Sequence, residues 1–138
     1  MEQRVSLITL GVDNPARARE FYEKLGWTAA FENEQIVFFQ LNGVVLGLFQ
    51  RESFDHDMKR DNDGRGRVAL AYNVRDKAEV DPLLEKAVGA GATLLKPAEE
   101  APWGGYSGYF ADPDGHAWEI AWNGSWAIDA DGNVRIDG

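Results

Sequence analysis

The sequence contains no cysteine among its 138 residues. Disulfides, thiolate metal sites and a cysteine nucleophile are therefore excluded. Long apolar runs are also lacking, since no stretch approaches the roughly 18 residues of a membrane span. The N-terminal residues do not show the basic-then-apolar order of a signal peptide. We therefore expect a cytoplasmic protein with no membrane partner.

Basic residues are scarce: 14 Lys and Arg stand against 23 Asp and Glu, which gives a formal net charge of −9. Such a chain repels phosphate backbones, so nucleic acid is not expected as a partner. There is no Gly-rich phosphate loop and no convincing Ser-His-Asp spacing, which argues against phosphoryl and acyl transfer. The hydrophobic content of 44% suffices for one core, and we predict a single domain over residues 1–138.

The first half of the chain predicts a strand, a helix and three further strands. A β-rich run over residues 4–12 leads to Asn14 and Pro15, which suit the N-cap and the first position of a helix. Apolar residues at helical spacing then continue to Gly26, a candidate C-cap. Three β-type runs follow, over residues 27–31, 35–41 and 44–49, and Asn42-Gly43 between the last two indicates a type I′ hairpin turn.

The second half repeats this order of elements. Aligning Val12 with Val74 superposes the first strands and helices of the two halves. Asp76 and Glu79 resemble a capping box. Pro82 leaves the start of the second helix open, between a kinked first turn and a delayed start at Asp81. A short strand over 92–96, a loop over 97–108 and two strands joined by the turn 112–115 complete the unit.

These patterns divide the chain into two modules, one over about 4–50 and the other over about 67–122. Residues 51–66 are charged and aperiodic, and we interpret them as an irregular connector. A turn signal at Asp131-Gly132 predicts that residues 123–138 form a terminal hairpin extension that covers a sheet edge.

The segments VDNPARAREFYEKLGW, FFQLNGVVLGLF and GYFADPDGHAWEIAW resemble the vicinal-oxygen-chelate superfamily, which includes glyoxalase, bleomycin-resistance proteins and extradiol dioxygenases. The resemblance covers nearly all of residues 4–122. It implies an α+β fold in which two tandem βαβββ modules form an incomplete eight-stranded barrel around a ligand-binding cleft. Members often carry a divalent metal and often dimerise, so a homodimer is expected.

The resemblance also implies where metal ligands would lie: at the start of the first strand and in the middle of the last strand of each module. Leu7, Gly47, Ala69 and Glu119 stand at these places. One carboxylate cannot replace several converging ligands, and we expect neither a metal nor another cofactor. His116 and His56 do not change this, because His116 alternates away from Glu119 and His56 lies in the acidic connector.

Strand alternation and the glycine-rich loop suggest a ligand site. The floor of the cleft is expected to be small and mostly apolar, with Glu119 as its carboxylate and with loop aromatics as a stacking wall. Phe38 and Phe39 supply one further ring, depending on which of them alternates inward, and we choose Phe39. The candidate ligand-binding residues are Thr9, Phe39, Phe49, Asn73, Trp103, Tyr106 and Glu119.

Two classes of function fit this site. The first is a non-catalytic protein that sequesters a small aromatic or cationic molecule, which the acidic charge favours. The second is an atypical lyase or isomerase in which Glu119 is the general base. A hydrogen-bonded Glu119 without any chemistry is an equally open reading, and a metal-dependent glyoxalase or dioxygenase is disfavoured. The sequence does not decide between catalyst and binder.

Overall fold

The computed structural model describes residues 1, 3–59 and 68–136, which form two compact units that divide between residues 67 and 68. The elements in chain order are β1 (Leu7–Val12), α1 (Pro15–Lys24), β2 (Phe31–Glu32), β3 (Ile36–Gln40), β4 (Val45–Gln50), α2 (Arg51–Met58), β5 (Ala69–Asn73), a 3₁₀ turn (Lys77–Glu79), α3 (Val80–Ala90), β6 (Thr93–Glu100), β7 (Tyr106–Ala111), β8 (Ala117–Trp122), β9 (Trp126–Ile128) and β10 (Val134–Ile136). The two predicted βαβββ modules are confirmed, each as an open four-stranded sheet with a helix. Whether they act as a single domain stays a prediction.

The first unit has the strand order β1-β4-β3-β2, in which only β1 and β4 pair in parallel. The helix α1 begins as expected: the side chain of Asn14 accepts a hydrogen bond from the backbone N–H of Arg17 at 3.1 Å, and Pro15 is the first helical residue. Gly26 follows the helix with φ +107°, which glycine adopts without strain.

The core of the first unit lies between α1 and its sheet. Phe21, Tyr22 and Phe39 are each at most 2% exposed. The ring of Trp27 stacks on Tyr22 at a centroid distance of 5.3 Å and lies 5.5 Å from Phe39. Full burial of each such side chain stabilises the fold by about 1.5–3 kcal/mol. Because Trp27 packs into this core, the predicted strand over 27–31 shrinks to Phe31–Glu32.

The predicted irregular connector is wrong over residues 51–58, which form α2. The side chain of Gln50 caps this helix by accepting a hydrogen bond from the N–H of Ser53 at 2.9 Å. Phe54 anchors it, since its ring stacks on Phe49 at 5.5 Å. One apolar anchor produces no helical periodicity, which is why the pattern did not indicate a helix. Residues 60–66 of the predicted connector lie outside the described part of the chain.

The turn before β4 also differs in type from the prediction. Gly43 has φ +71°, whereas Asn42 does not have a positive φ. A type I′ turn needs positive φ at both central residues. The hairpin itself is present, with β3 and β4 antiparallel from Gln40 opposite Val45.

The second unit repeats this topology with the order β5-β8-β7-β6 and one parallel pair, β5 with β8. The capping box of Asp76 and Glu79 is confirmed, but it caps a 3₁₀ turn, after which α3 begins at Val80. Pro82 therefore lies in the first turn of the α-helix, where its missing N–H leaves no helical hydrogen bond unmade.

The predicted loop over 97–108 is largely strand. The strand β6 continues to Glu100 and β7 begins at Tyr106, so only residues 101–105 connect them. Pro97 suggested a loop, but β6 is an edge strand, where proline is tolerated. The pairing shifts register on both sides of Lys96, which accommodates the irregular backbone.

The predicted terminal hairpin is present as β9 and β10, which form a separate two-stranded sheet. The guanidinium of Arg75 donates a hydrogen bond to the backbone oxygen of Asp129 at 2.9 Å, which ties the hairpin to the end of β5. Among the described residues, no helix combines the length and the apolar character that crossing a membrane requires.

Candidate functional site

Each sheet has one face packed against its long helix and an opposite face, which we call the open face. In the second unit two rows of cross-strand neighbours occupy the open face. Glu119 of β8 lies between Ala71 of β5 and Tyr109 of β7. Ala121 lies in the next row, with Asn73 on one side and Ser107 on the other. Neighbours in register present their side chains on the same face.

A cavity of about 550 Å³ lies on this open face. Its volume is within the range of pockets that hold small organic molecules. The cavity is lined by Ala71, Asn73, Trp103, Glu119, Ala121, Asn123, Ser125 and Trp126. Three of the candidate residues, Asn73, Trp103 and Glu119, are therefore brought together.

Glu119 has an ionisable neighbour in register, Tyr109 on β7. Burial first and then the charge of Glu119 raise the pKa of this tyrosine. Lys96 lies opposite Tyr109 on β6 and pairs with Glu99 at 2.8 Å. Tyr109 was missed because the loop predicted over residues 97–108 concealed the strand pairing that sets it beside Glu119.

Trp103 forms one wall of the cavity. Its loop is closed by hydrogen bonds from Ala101 to Gly105 and from Gly104 to Ala101, and Gly104 has φ +94°. The indole lies directly on the backbone of Gly105, where an added Cβ would be 1.8 Å from a ring carbon. Glycine is therefore required at position 105 for this indole position.

Trp126 forms a second wall, which the sequence analysis did not assign to the site. Asn123 positions it: its side chain accepts from the N–H of Ser125 at 2.9 Å, and its backbone oxygen accepts from the N–H of Trp126 at 3.1 Å. The predicted hairpin was the one feature of the sequence that could have indicated Trp126, because it turns the chain back directly after β8. The sequence does not show toward which face of the sheet the hairpin turns.

The chemistry of the cavity is that of a hydrogen-bond acceptor with aromatic walls. Among its lining residues Glu119 is the only one with a charged side chain, and none carries a positive charge. The amides of Asn73 and Asn123 and the hydroxyl of Ser125 add uncharged polar groups. Indole faces attract cations through their quadrupole. This combination favours a ligand that is positively charged or rich in hydrogen-bond donors.

The first unit contains a smaller cavity of about 410 Å³ beside α2, and Phe49 is among its lining residues. His56, expected in a solvated loop, lies on α2 and lines it too. Thr9 lies on the open face of this unit opposite Gly47 but lines neither described cavity.

Two candidate residues lie away from the cavity. Phe39 is 1% exposed and packs in the core, because it pairs with Leu46 on the helix-facing side of the sheet, so Phe38 is the inward-alternating ring. Tyr106 points toward α3, where its hydroxyl donates to Asp81 at 2.9 Å, and this hydrogen bond raises its pKa. Neither residue lines the 550 Å³ cavity.

The positions of the metal ligands that the family resemblance implies do not fit a metal. Leu7 and Gly47 in the first unit, and Ala69 in the second, offer no side-chain ligand, which leaves Glu119. Across residues 3–59 and 68–136 no cluster of three or more His, Asp or Glu side chains is arranged to hold an ion. A divalent ion needs several ligands, which these positions do not supply.

Comparison with known proteins agrees with this fold. Residues 4–120 match the model of the Glyoxalase/Bleomycin resistance protein/Dioxygenase superfamily. A glyoxalase-related enzyme from Fulvimarina pelagi is 45% identical, with a TM-score of 0.93 over 99% of this chain and 100% of that one. A lactoylglutathione lyase from Agrobacterium tumefaciens, at 23% identity and a TM-score of 0.68 over 88% of this chain and 95% of that one, shares the fold. The chain therefore belongs to the Glyoxalase/Bleomycin resistance protein/Dioxygenase superfamily.

Proposed function

We propose that this protein binds a small organic cation in the cavity of its second unit. The observation that carries the proposal is the composition of the cavity wall: one carboxylate, two carboxamides and two indoles, with no positively charged side chain among the lining residues. A carboxylate beside aromatic faces recognises an ammonium or guanidinium group by charge and by cation–π attraction.

The arrangement of Glu119 supports this role. Its carboxylate has two oxygens with about four lone-pair positions, which can accept several donors from a ligand. Tyr109 lies beside it in register on β7.

The charge of the whole chain acts in the same direction. A net charge of −9 attracts cations and repels anions at long range. Metabolites that carry phosphate or several carboxylates are therefore poor candidates. Trp103 and Trp126 are 52% and 41% exposed, so their indoles are accessible to an incoming molecule.

The proposal is tested by titrating three probes of similar shape and different charge: phenethylamine, phenethyl alcohol and hydrocinnamate. Tryptophan fluorescence reports binding, since two indoles line the cavity, and calorimetry gives the affinity. We expect the amine to bind more tightly than the alcohol and the carboxylate to bind least. Equal affinities, or no binding of the amine at millimolar concentration, would overturn the proposal.

Glu119→Gln provides the matched test of the charge. Because hydrogen bonds to charged groups contribute about 1.5–3 kcal/mol, the variant is expected to bind the amine about tenfold or more weakly. Its affinity for the alcohol should change little. Glu85→Gln is the control, since it makes the same chemical change on α3, away from the cavity.

A second candidate function, an atypical lyase or isomerase, is favoured by the pairing of Glu119 with Tyr109. A carboxylate can remove a proton next to a carbonyl, and the amides of Asn73 and Asn123 are available to donate to that carbonyl. The similar protein from Fulvimarina pelagi is described as an enzyme. Exchange of the methyl protons of acetophenone in deuterated water tests this function: faster exchange than in buffer, lost in Glu119→Gln, supports it, and exchange at the buffer rate excludes it for this probe.

A further inference from the structure

The two units repeat one sheet, and the strand register shows which open-face positions correspond. In the first unit Gly11 pairs with Phe49, and in the second unit Asn73 pairs with Ala121. The neighbouring pairs match in the same way, with Thr9 and Gly47 corresponding to Ala71 and Glu119. Phe49 and Ala121 are therefore equivalent positions: Phe49 follows Gly47 by two residues in β4, and Ala121 follows Glu119 by two residues in β8.

In the first unit the chain itself fills the space above this position. The ring of Phe49 stacks on Phe54 at a centroid distance of 5.5 Å and an angle of 15°. Phe54 also lies close to Gly11, where an added Cβ would be 3.5 Å from its ring. Two parallel rings thus occupy the end of the open face.

In the second unit the equivalent residues do not form this ring pair, and Ala121, which is 3% exposed, lies at the wall of the cavity. Ala121 stands where the first unit has Phe49. The aromatic residue after the strand is Trp126, which follows Ala121 by five residues, just as Phe54 follows Phe49. Both Ala121 and Trp126 line the 550 Å³ cavity. The second unit therefore has a counterpart of the Phe54 ring, which is Trp126, but no counterpart of the Phe49 ring.

We infer that a flat aromatic ring of the ligand lies above Ala121 against Trp126, where Phe49 lies against Phe54 in the first unit. The inference rests on the proposed function and names its ligand class: an aromatic cation whose charged group reaches Glu119. Alternate residues of a strand are about 7 Å apart. The ring and the charge should therefore be joined by a short alkyl linker, as in an arylalkylamine.

Comparison of phenethylamine with cyclohexylethylamine tests the ring. The two amines have the same charge and similar size, and only the first has a face that stacks on an indole. We expect phenethylamine to bind roughly three- to tenfold more tightly. Trp126→Leu should remove this difference while the affinity for cyclohexylethylamine stays within about twofold.

Ala121→Phe introduces into the second unit the phenylalanine that the first unit has at position 49. Its side chain should occupy the space proposed for the ligand ring. We expect it to weaken phenethylamine binding at least about tenfold. Ala69→Phe is the matched control, because Ala69 is an exposed residue on the same open face and does not line the cavity. Circular dichroism and thermal unfolding show whether each variant is folded, and Trp126→Leu tests the same space if Ala121→Phe is not.

The outcomes distinguish a failure of the inference about the aromatic ring from a failure of the proposed function. Equal binding of both amines, with Glu119→Gln still weakening both, would overturn the inference and leave the proposed function intact. Failure of both amines to bind the unaltered protein would overturn the proposed function. Unchanged phenethylamine affinity in a folded Ala121→Phe variant would place the ring elsewhere and also overturn the inference.

Discussion

Tyr109 of β7 lies opposite Glu119 of β8, and burial and then the charge of this carboxylate raise the pKa of the phenol. The equivalent pair in the first unit is Phe38 and Gly47, where the phenylalanine ring lies over the glycine: an added Cβ there would be 3.1 Å from it. One copy of the repeat therefore has an apolar pair at the position where the other copy has an acid and a phenol. This difference places ionisable side chains in the second unit at a position where the first unit has none.

Removal of the charge at position 119 should lower the pKa of Tyr109. Burial first, and then the negative charge of Glu119, raise the pKa of this phenol because both disfavour its ionised form. In Glu119→Gln the phenol should ionise at a lower pH, although burial keeps its pKa above the ordinary value. Absorbance of tyrosinate against pH measures this, and Tyr109→Phe identifies which titration belongs to Tyr109. An unchanged titration would show that the charge of Glu119 does not act on Tyr109.

The same pair predicts how stability depends on alkaline pH. The folded state raises the pKa of Tyr109, so it holds the phenolic proton more tightly than the unfolded chain does. The resulting stabilisation is complete below the ordinary tyrosine pKa of about 10 and is lost as the pH rises through the folded-state value. The free energy of unfolding should therefore fall more steeply above about pH 10 in the unaltered protein than in Tyr109→Phe. Urea unfolding across this range measures both, and parallel curves would contradict the prediction.

Gly105→Ala should displace Trp103 from the cavity wall. The added Cβ would lie 1.8 Å from the indole and 2.5 Å from the backbone oxygen of Trp122, so the indole has to move. We expect ligand affinity to fall and acrylamide quenching of tryptophan fluorescence to rise. Gly89→Ala is the control: nothing lies within 4 Å of its added Cβ, and alanine within α3 should stabilise the fold by about 0.5–1 kcal/mol. Equal quenching in both variants would show that Trp103 does not depend on Gly105.

Local patterns in the sequence predicted much of the fold and part of the site. The cap at Asn14 and the glycine at position 26 bound α1 because both act within one or two turns of the chain. Alternation along single strands put Asn73 and Glu119 on the same face. These features depend on neighbours a few residues away, which is the range that periodicity reports.

The errors arose where a distant contact decides the structure. Phe38 and Phe39 are adjacent and chemically identical, and only the pairing of Phe38 with Gly47 determines which faces inward. The helix α2 depends on Phe54 stacking against Phe49 in the preceding strand. Trp126 reaches the cavity because the hairpin is tied back onto its unit through Arg75. None of these contacts has a periodic signature in the sequence.

The hairpin that carries Trp126 should loosen when Asp129 loses its charge. The backbone N–H of Asn133, then its side-chain amide, and the N–H of Asp131 donate to this carboxylate and lower its pKa. A carboxylate with a lowered folded-state pKa stabilises the fold above its unfolded value of about 4, and this stabilisation is lost as the pH falls through the folded value. We therefore expect the protection factors of the amides in Trp126–Ile128, measured against their intrinsic exchange rates, to fall below about pH 4.

Asp129→Ala should show the same loss of protection at neutral pH and should weaken ligand binding, because Trp126 is then less firmly held. Asp129→Asn is the conservative control, since its side-chain oxygen still accepts from both backbone N–H groups while the charge is gone. Because its charge is already gone, it should show a loss of protection at neutral pH that is intermediate between the unaltered protein and Asp129→Ala, with little further change on acidification. If Asp129→Ala left both exchange and affinity unchanged, the hairpin would not depend on this carboxylate, and Trp126 would have to be held by the turn at Asn123 and by Arg75.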